Sequence, residues 1–248
     1  MKRARVAYRG LVHDAVAGDN GIHLENGSPA PMADVVWLPP VDPGAIYTLH
    51  LNYADQAHSL KEPQVFLKSA GSLCGHLGTT RRPAGVAYMR SQCELAVVMG
   101  ASAKNVKPVD AYEYIAGYTV ANNYAMGEPV EPPDVEPDDH PTLCAMSRDS
   151  STPLGPWIVD RDQVPDPMNL ALRTLVNGKV MHEGNTRDMI FDIPALIEYL
   201  SGLITLQRGD VILTGTPRGF AAGSTSVQPG DVVVTEIEGI GQLMNTVT

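Results

Sequence analysis

The chain has 248 residues, 44% hydrophobic and 19% charged, with 18 basic against 28 acidic side chains and a formal charge of −10. That composition is too apolar and too weakly charged for a disordered chain, and the length suits one large domain or two small ones. An acidic chain with no sustained Lys/Arg track argues against a nucleic-acid partner, because nothing in it neutralises a run of phosphates.

In chain order, the opening MKRARVAYRG is basic but lacks the apolar run of a secretory signal. The longest apolar runs, at 35–38 and 95–99, fall far short of the about 20 residues a membrane helix needs. Cys74, Cys93 and Cys144 are odd in number and lack metal-ligand spacing, so they read as reduced, buried small hydrophobes. The expectation is a cytoplasmic protein with no membrane segment. Residues 1–44 read as a small N-terminal β element ending in a Pro-rich stretch at 35–44, and residues 45–248 as the main domain. Short β-rich runs follow at 46–51, 65–68, 94–99, 118–121, 157–159, 170–176, 211–214 and 231–237.

Two segments have helical length and period. The first, 108–117, begins with Pro and ends with Gly, placing Ala111, Tyr114 and Ile115 on one face. The second, 192–203, starts from Asp192 as N-cap, with Pro194 in the first turn and Leu196, Ile197, Leu200 and Leu203 inward. Asn177-Gly178 and Pro229-Gly230-Asp231 are turn signals between strands. Many short strands with few short helices predict a mixed β-rich α+β roll or barrel-like domain.

Three features are placed to carry chemistry. Gln92-x-Glu94 opens the strand 94–99, and residues two apart on a strand share a face, so the pair presents oxygens side by side. Asn122-Asn123 stands ready to add a third; alone, this is an ordinary polar strand end with one carboxylate among three groups. The second feature, Thr214-Gly215-Thr216-Pro217-Arg218-Gly219 after an apolar run, offers a hydroxyl and backbone N–H groups to an anion, or is a plain strand-to-loop turn. The third is the polar turn Asn52-Tyr53-Ala54-Asp55-Gln56-Ala57-His58, in which His58 is a candidate base or an inert exposed histidine. Arg81-Arg82 is a candidate carboxylate clamp or a solvated loop pair, and Trp37 and Trp157 read as packing residues. His76 and His140 have no partner that the sequence names.

These segments, in this order, resemble the fumarylacetoacetate hydrolase family, in its branch of isomerases and decarboxylases of 4-hydroxyphenylacetate degradation. The carrying residues are LHLNYADQA (49–57), PQVFLKSAGSLCGH (63–76), CELAVVMG (93–100), YIAGYTVANNYA (114–125), SRDSSTPLGPW (147–157) and VPDPMNLALRTLVNG (164–178). GNTRDMIFDIPALIEYLS (184–201), GDVILTGTPRG (209–219) and PGDVVVTEIEGIGQLMNTV (229–247) complete the set. The resemblance implies a β-sandwich roll, usually dimeric, with a divalent-metal site at the mouth of the roll and enolisable 2-oxo or β-diketo acids as substrates.

The departures from the pattern carry information. The family's Mg²⁺ or Mn²⁺ ligands, a Glu-x-Glu pair and an Asp, read here Gln92, Glu94 and Asn123. Its His-x-x-Glu base dyad reads Gln56 and Ser59, and its active-site Lys aligns with Met146. Arg148-Asp149 and Thr214–Gly219 stand unchanged. Two carboxylates replaced by amides leave one formal negative charge to offset a divalent ion's dehydration, so no cofactor is expected. Glu94 remains as the acid/base, with Gln92, Asn123 and Gln56 as amide partners and Tyr124, Met146, Arg148, Asp149, Thr214, Gly215, Thr216 and Arg82 lining the small-molecule site.

Three readings stay open. The first is an enzyme repurposed for metal-free cyclisation, isomerisation or lyase chemistry. The second is a catalytically inactive subunit that pairs with an active relative, or a ligand-binding protein; in either case a homodimer, or a hetero-oligomer with an active relative, is the expected assembly. The third keeps the metal-dependent isomerase/decarboxylase, with Gln92 and Asn123 as weak ligands. The acidity sharpens the choice of substrate. Residues 128–139 hold six carboxylates and no base, where relatives carry a substrate-covering segment, and the rest of the chain is only 4 negative. An acidic lid over a pocket that has lost carboxylates favours a larger, less charged substrate than a dioate.

Overall fold

In the computed structural model the described residues are 1–18, 21–54, 60–127, 147–217 and 226–248. Alternation builds the N-terminal element: in Lys2–Tyr8 (β1), Ala4 and Val6 turn inward while Arg3 and Arg5 turn out. It pairs antiparallel with Leu11–Gly18 (β2) and Val36–Leu38 (β5); Gly21–Leu24 (β3) and Pro29–Ala30 (β4) extend the same edge. Ala4, Val6, Ala15, Ile22, Leu24, Ala30, Val35 and Trp37 form an apolar cluster of their own.

The rest of the chain supplies Ile46–His50 (β6), Gln64–Lys68 (β7), Leu73–Cys74 (β8), Thr79–Thr80 (β9), Tyr88–Arg90 (β10) and Cys93–Met99 (β11). Ile115–Asn122 (β12), Ala125–Gly127 (β13), Thr152–Asp160 (β14), Ala171–Val176 (β15) and Lys179–Asn185 (β16) follow. Helix Ile193–Leu203 (α1) precedes Val211–Leu213 (β17), Val232–Ile237 (β18) and Gly241–Val247 (β19). Among the described residues the large sheet runs β4-β3-β2-β1-β14-β12-β11-β17-β6-β7, with β5 on β1 and β8 on β14. A second sheet runs β16-β15-β18-β19-β9, and β10 pairs with β13. This is the β-rich roll with few helices that the sequence predicted.

Strand β11 is buried along its whole length, and its run Leu95–Met99 is apolar because both of its faces are covered. Leu95, Val97 and Met99 join α1 and the smaller sheet in the main core, while Ala96 and Val98 meet Ile46, Ala121, Leu154 and Leu213 on the other side. Helix α1 begins as expected, the Asp192 carboxylate accepting from the Ala195 N–H at 2.8 Å. Leu196, Ile197 and Leu200 are buried, but Leu203 is 64% exposed, because the last turn carries it past the core.

The predicted helix 108–117 is corrected. Pro108–Tyr114 forms a 3₁₀ turn, and Ile115 already starts β12. Gly117 is not a helix end but a close approach of strands, since a Cβ there would lie 2.2 Å from the Val159 carbonyl oxygen. The Asn177-Gly178 turn joins β15 to β16 with φ of 50° and 78°, a conformation Gly and Asn accept readily.

The N-terminal element is seated on the body through β1, which pairs antiparallel with β14. Trp37 meets Trp157 and His76 edge-on, with ring centroids 6.1 and 5.4 Å apart. Gly75 permits that contact, because its Cβ would fall 2.1 Å from the Trp37 carbonyl oxygen.

Candidate functional site

The first residues of β11 set the site. Glu94 shares the face of Ala96 and Val98 and is only 1% exposed, so its carboxylate needs donors inside the protein. It has them: Oε1 accepts from Asn123 Nδ2 at 2.8 Å and Oε2 from the Gly215 N–H at 2.7 Å. The second Nδ2 proton of Asn123 goes to Thr48 Oγ1 at 3.1 Å, and its Oδ1 accepts from Lys68 Nζ at 2.7 Å. Thr48 on β6, Lys68 on β7, Glu94 on β11, Asn123 after β12 and Gly215 after β17 thus converge on one buried network.

Electrostatics follow from that burial. Desolvation pushes the Glu94 carboxyl up to about 7, against the pull of the Asn123 and Gly215 hydrogen bonds and the Lys68 charge. Desolvation lowers the Lys68 ammonium to about 8, with Glu94 opposing. A carboxyl whose proton affinity sits near neutrality, beside a lysine brought down toward it, is suited to moving a proton at physiological pH.

The turn after β17 does something other than wait for an anion. Thr214 Oγ1 donates to the Leu95 carbonyl at 2.9 Å, leaving that hydroxyl no proton for a ligand. The Gly215 N–H holds the carboxylate of Glu94, so the anion in the turn is the protein's own. Gly215 has a φ of 86°, which a side chain would strain. Thr216 Oγ1, by contrast, is buried without a hydrogen-bond partner.

Asn52 locks this turn from beneath. Its Nδ2 donates to the Thr214 carbonyl at 2.9 Å and the Phe191 carbonyl at 3.1 Å, while Oδ1 accepts from the Phe191 N–H at 2.9 Å. The Ile190 N–H reaches the Asn52 carbonyl and the Ala54 N–H reaches that of Asp188.

The remaining expectations divide. Gln92 lies just before β11; its carbonyl accepts from the Asn123 N–H at 2.8 Å, and its side-chain amide forms no hydrogen bond within the described residues. Tyr124 is fully buried in a cluster with Val86, Met89, Met126 and Val227, a core position beside the network. Arg82 spends its guanidinium on Ser226 Oγ and the carbonyls of Val227, Val86 and Ala87, a clip between two loops. Arg148 and Asp149 lie in the bend before β14, Arg148 half-buried and Asp149 exposed. His76 Nδ1 accepts from the Met244 N–H, and burial lowers the ring to about 4, so it stays neutral. Gln56, His58, Ser59, His140, Cys144, Met146, Arg218, Gly219 and the acidic stretch 128–139 lie outside the described residues.

The sequence did not single out Lys68, and it marked Asn52 only as the first residue of a polar turn, with no role of its own. The signal for Lys68 was a lysine closing the apolar β-run Val65–Leu67; for Asn52, the turn motif marks the position but not the distant carbonyls that it binds.

The family's divalent metal can be tested against this donor set. Lys68 only donates and ionised Glu94 only accepts, so the Asn123 amide has one orientation that satisfies both: oxygen toward Lys68, nitrogen toward Glu94. An aspartate at 123 would offer one oxygen to the lysine and one to a metal. The asparagine turns N–H groups to the place a metal would share with Glu94. This donor set, among the described residues, does not fit a divalent cation. Among the described residues, no three His, Cys, Asp or Glu side chains converge as metal ligands.

A family model described as fumarylacetoacetate (FAA) hydrolase C-terminal matches residues 45–248. The chain belongs to the fumarylacetoacetate hydrolase family. It is 48% identical over 209 residues to a 4-hydroxyphenylacetate degradation bifunctional isomerase/decarboxylase of Salmonella dublin, covering 82% of this chain and 47% of that protein. The chain thus spans about half the length of the curated relatives it matches first. Of solved structures, a 5-carboxymethyl-2-hydroxymuconate delta-isomerase from Mycobacterium smegmatis superposes with TM-score 0.85 at 32% identity, covering 100% of this chain and 98% of that one. A 2-hydroxyhepta-2,4-diene-1,7-dioate isomerase from Mycobacterium marinum gives 0.84 at 32%, over 100% and 98%. In this family setting, no helix among the described residues is long and apolar enough to cross a membrane.

Proposed function

We propose that this family member is an enzyme repurposed to act without a divalent metal on an enolisable or polyene/diketone small molecule, in a cyclisation, isomerisation or lyase step. The observation that carries the reading is the Glu94–Asn123–Lys68 network, which places a carboxyl of near-neutral proton affinity where relatives are expected to share a cation. Glu94 takes or returns the proton at the enolisable carbon. Orientation of the substrate supplies the rest, since holding reacting groups in place is worth several kcal/mol, on the order of 7–11 in the best cases. Asn123 has no N–H left for substrate, so amide donation falls to Gln92 and the unpartnered hydroxyl to Thr216. The reading carries with it a cytoplasmic homodimer.

The test is turnover of a panel of enolisable 2-oxo and β-diketo acids in EDTA, followed by loss of the enol absorbance. Activity indifferent to EDTA that falls about 10²-fold or more in Glu94→Gln supports it. Activity abolished by EDTA and returned by Mg²⁺ contradicts it. A second reading, an inactive subunit paired with an active relative, draws on the amides Gln92 and Asn123 standing where the family pattern has carboxylates while the framework segments are kept. It predicts that the panel stays untouched until such a relative is added.

A further inference from the structure

We infer that Lys68 is a positioning residue which, through Asn123, does for Glu94 the holding work that a shared cation would otherwise do. The inference rests on the metal-free reading and deepens it. Lys68 lies at the end of β7, an edge strand among the described residues, and Glu94 at the start of β11, three strands inward, beyond β6 and β17. Lys68 does not bond Glu94 in this network; it bonds the Asn123 oxygen at 2.7 Å, and the amide passes the constraint on. With Oδ1 fixed, both Nδ2 protons are directed, one to Glu94 Oε1 and one to Thr48 Oγ1. The Gly215 N–H closes the other carboxylate oxygen. Glu94 is therefore held from two sides, by groups drawn from β6, β7, the end of β12 and the turn after β17.

The arrangement depends on the identity of residue 123. An aspartate there would set a second carboxylate oxygen about 2.8 Å from Glu94 Oε1, and two like charges at that distance need a cation between them or a proton. The amide removes the repulsion and replaces it with a hydrogen bond, provided that Lys68 keeps it from flipping. Losing the lysine frees the amide; restoring the acid restores the demand for a cation.

The experiment uses the whole chain as wild type, Lys68→Met and Asn123→Asp. It reads thermal midpoints in EDTA and in Mg²⁺, and solvent exchange of the Asn123 side-chain amide by NMR. The wild type is expected to show equal midpoints in both solutions and a protected amide. Lys68→Met is expected to lose the amide protection, a change that lost packing at β7 alone would not produce. Asn123→Asp is expected to melt about 5 °C or more higher in Mg²⁺ than in EDTA. Amide protection surviving in a folded Lys68→Met overturns the inference, and so does an Asn123→Asp midpoint indifferent to Mg²⁺, which decides the matter if Lys68→Met fails to fold. A wild-type midpoint that rises in Mg²⁺ overturns the metal-free reading itself, whereas flat wild-type and flat Asn123→Asp midpoints overturn only the role of Lys68 and Asn123.

Discussion

Replacing Asn52 by alanine tests whether the turn under the site is held by hydrogen bonds or merely by shape. Asn52 is 1% exposed and makes three side-chain hydrogen bonds, two to the carbonyls of Thr214 and Phe191 and one from the Phe191 N–H. At about 1 kcal/mol net for each bond, the loss comes to about 3 kcal/mol. For a chain of this size that corresponds to a melting temperature roughly 6–12 °C lower. Asn52→Asp is the sharper control, because it conserves shape and keeps an acceptor for the Phe191 N–H. Its second oxygen then faces two carbonyls, so it should destabilise at least as much as alanine. Urea unfolding gives the free energy, and hydrogen exchange at the Phe191 and Ile190 N–H groups reports the local effect. An aspartate variant within about 0.5 kcal/mol of wild type would refute the reasoning.

Three further outcomes follow from named features. The Glu94 carboxyl is raised from 4.5 to about 7, so its contribution to stability is fully present below pH 4.5 and is lost as pH rises through 7. Denaturation across that window should show a downward slope that Glu94→Gln lacks, and an unchanged slope would remove Glu94 from the account. Leu196→Ala empties a core position that is 1% exposed and should cost about 2–5 kcal/mol in urea unfolding; a cost under about 1 would mean that α1 is not packed as described. Gly75→Ala sets a methyl 2.1 Å from the Trp37 carbonyl, so it should lower the melting temperature and shift tryptophan fluorescence; a silent variant would show that the joint tolerates movement.

Local pattern made much of this molecule legible. The apolar runs of β6, β11 and β17, the Asp192 cap and the Asn177-Gly178 turn each follow from chemistry within a few residues. The 108–117 segment misled because Gly117 has the look of a helix terminus, while its real constraint is the Val159 carbonyl, more than forty residues away in sequence. The site divides the same way. Glu94 and Asn123 stood out as polar residues at strand ends, and the structure brings them within 2.8 Å. Lys68 did not, and Asn52 did so only as part of a polar turn, because their partners lie 55 and 162 residues away along the chain. Long-range hydrogen bonds leave no periodicity to read. Thr214 and Arg82 looked free in the sequence for the same reason: the carbonyls that occupy them are distant or belong to the backbone.

The most direct test of the central claim is calorimetric titration of the EDTA-treated wild-type protein with Mn²⁺. No saturable site is expected up to about 1 mM, because one buried carboxylate, already held by Asn123 and Gly215, faces amide protons where a metal would sit. Stoichiometric binding at micromolar concentration would contradict it.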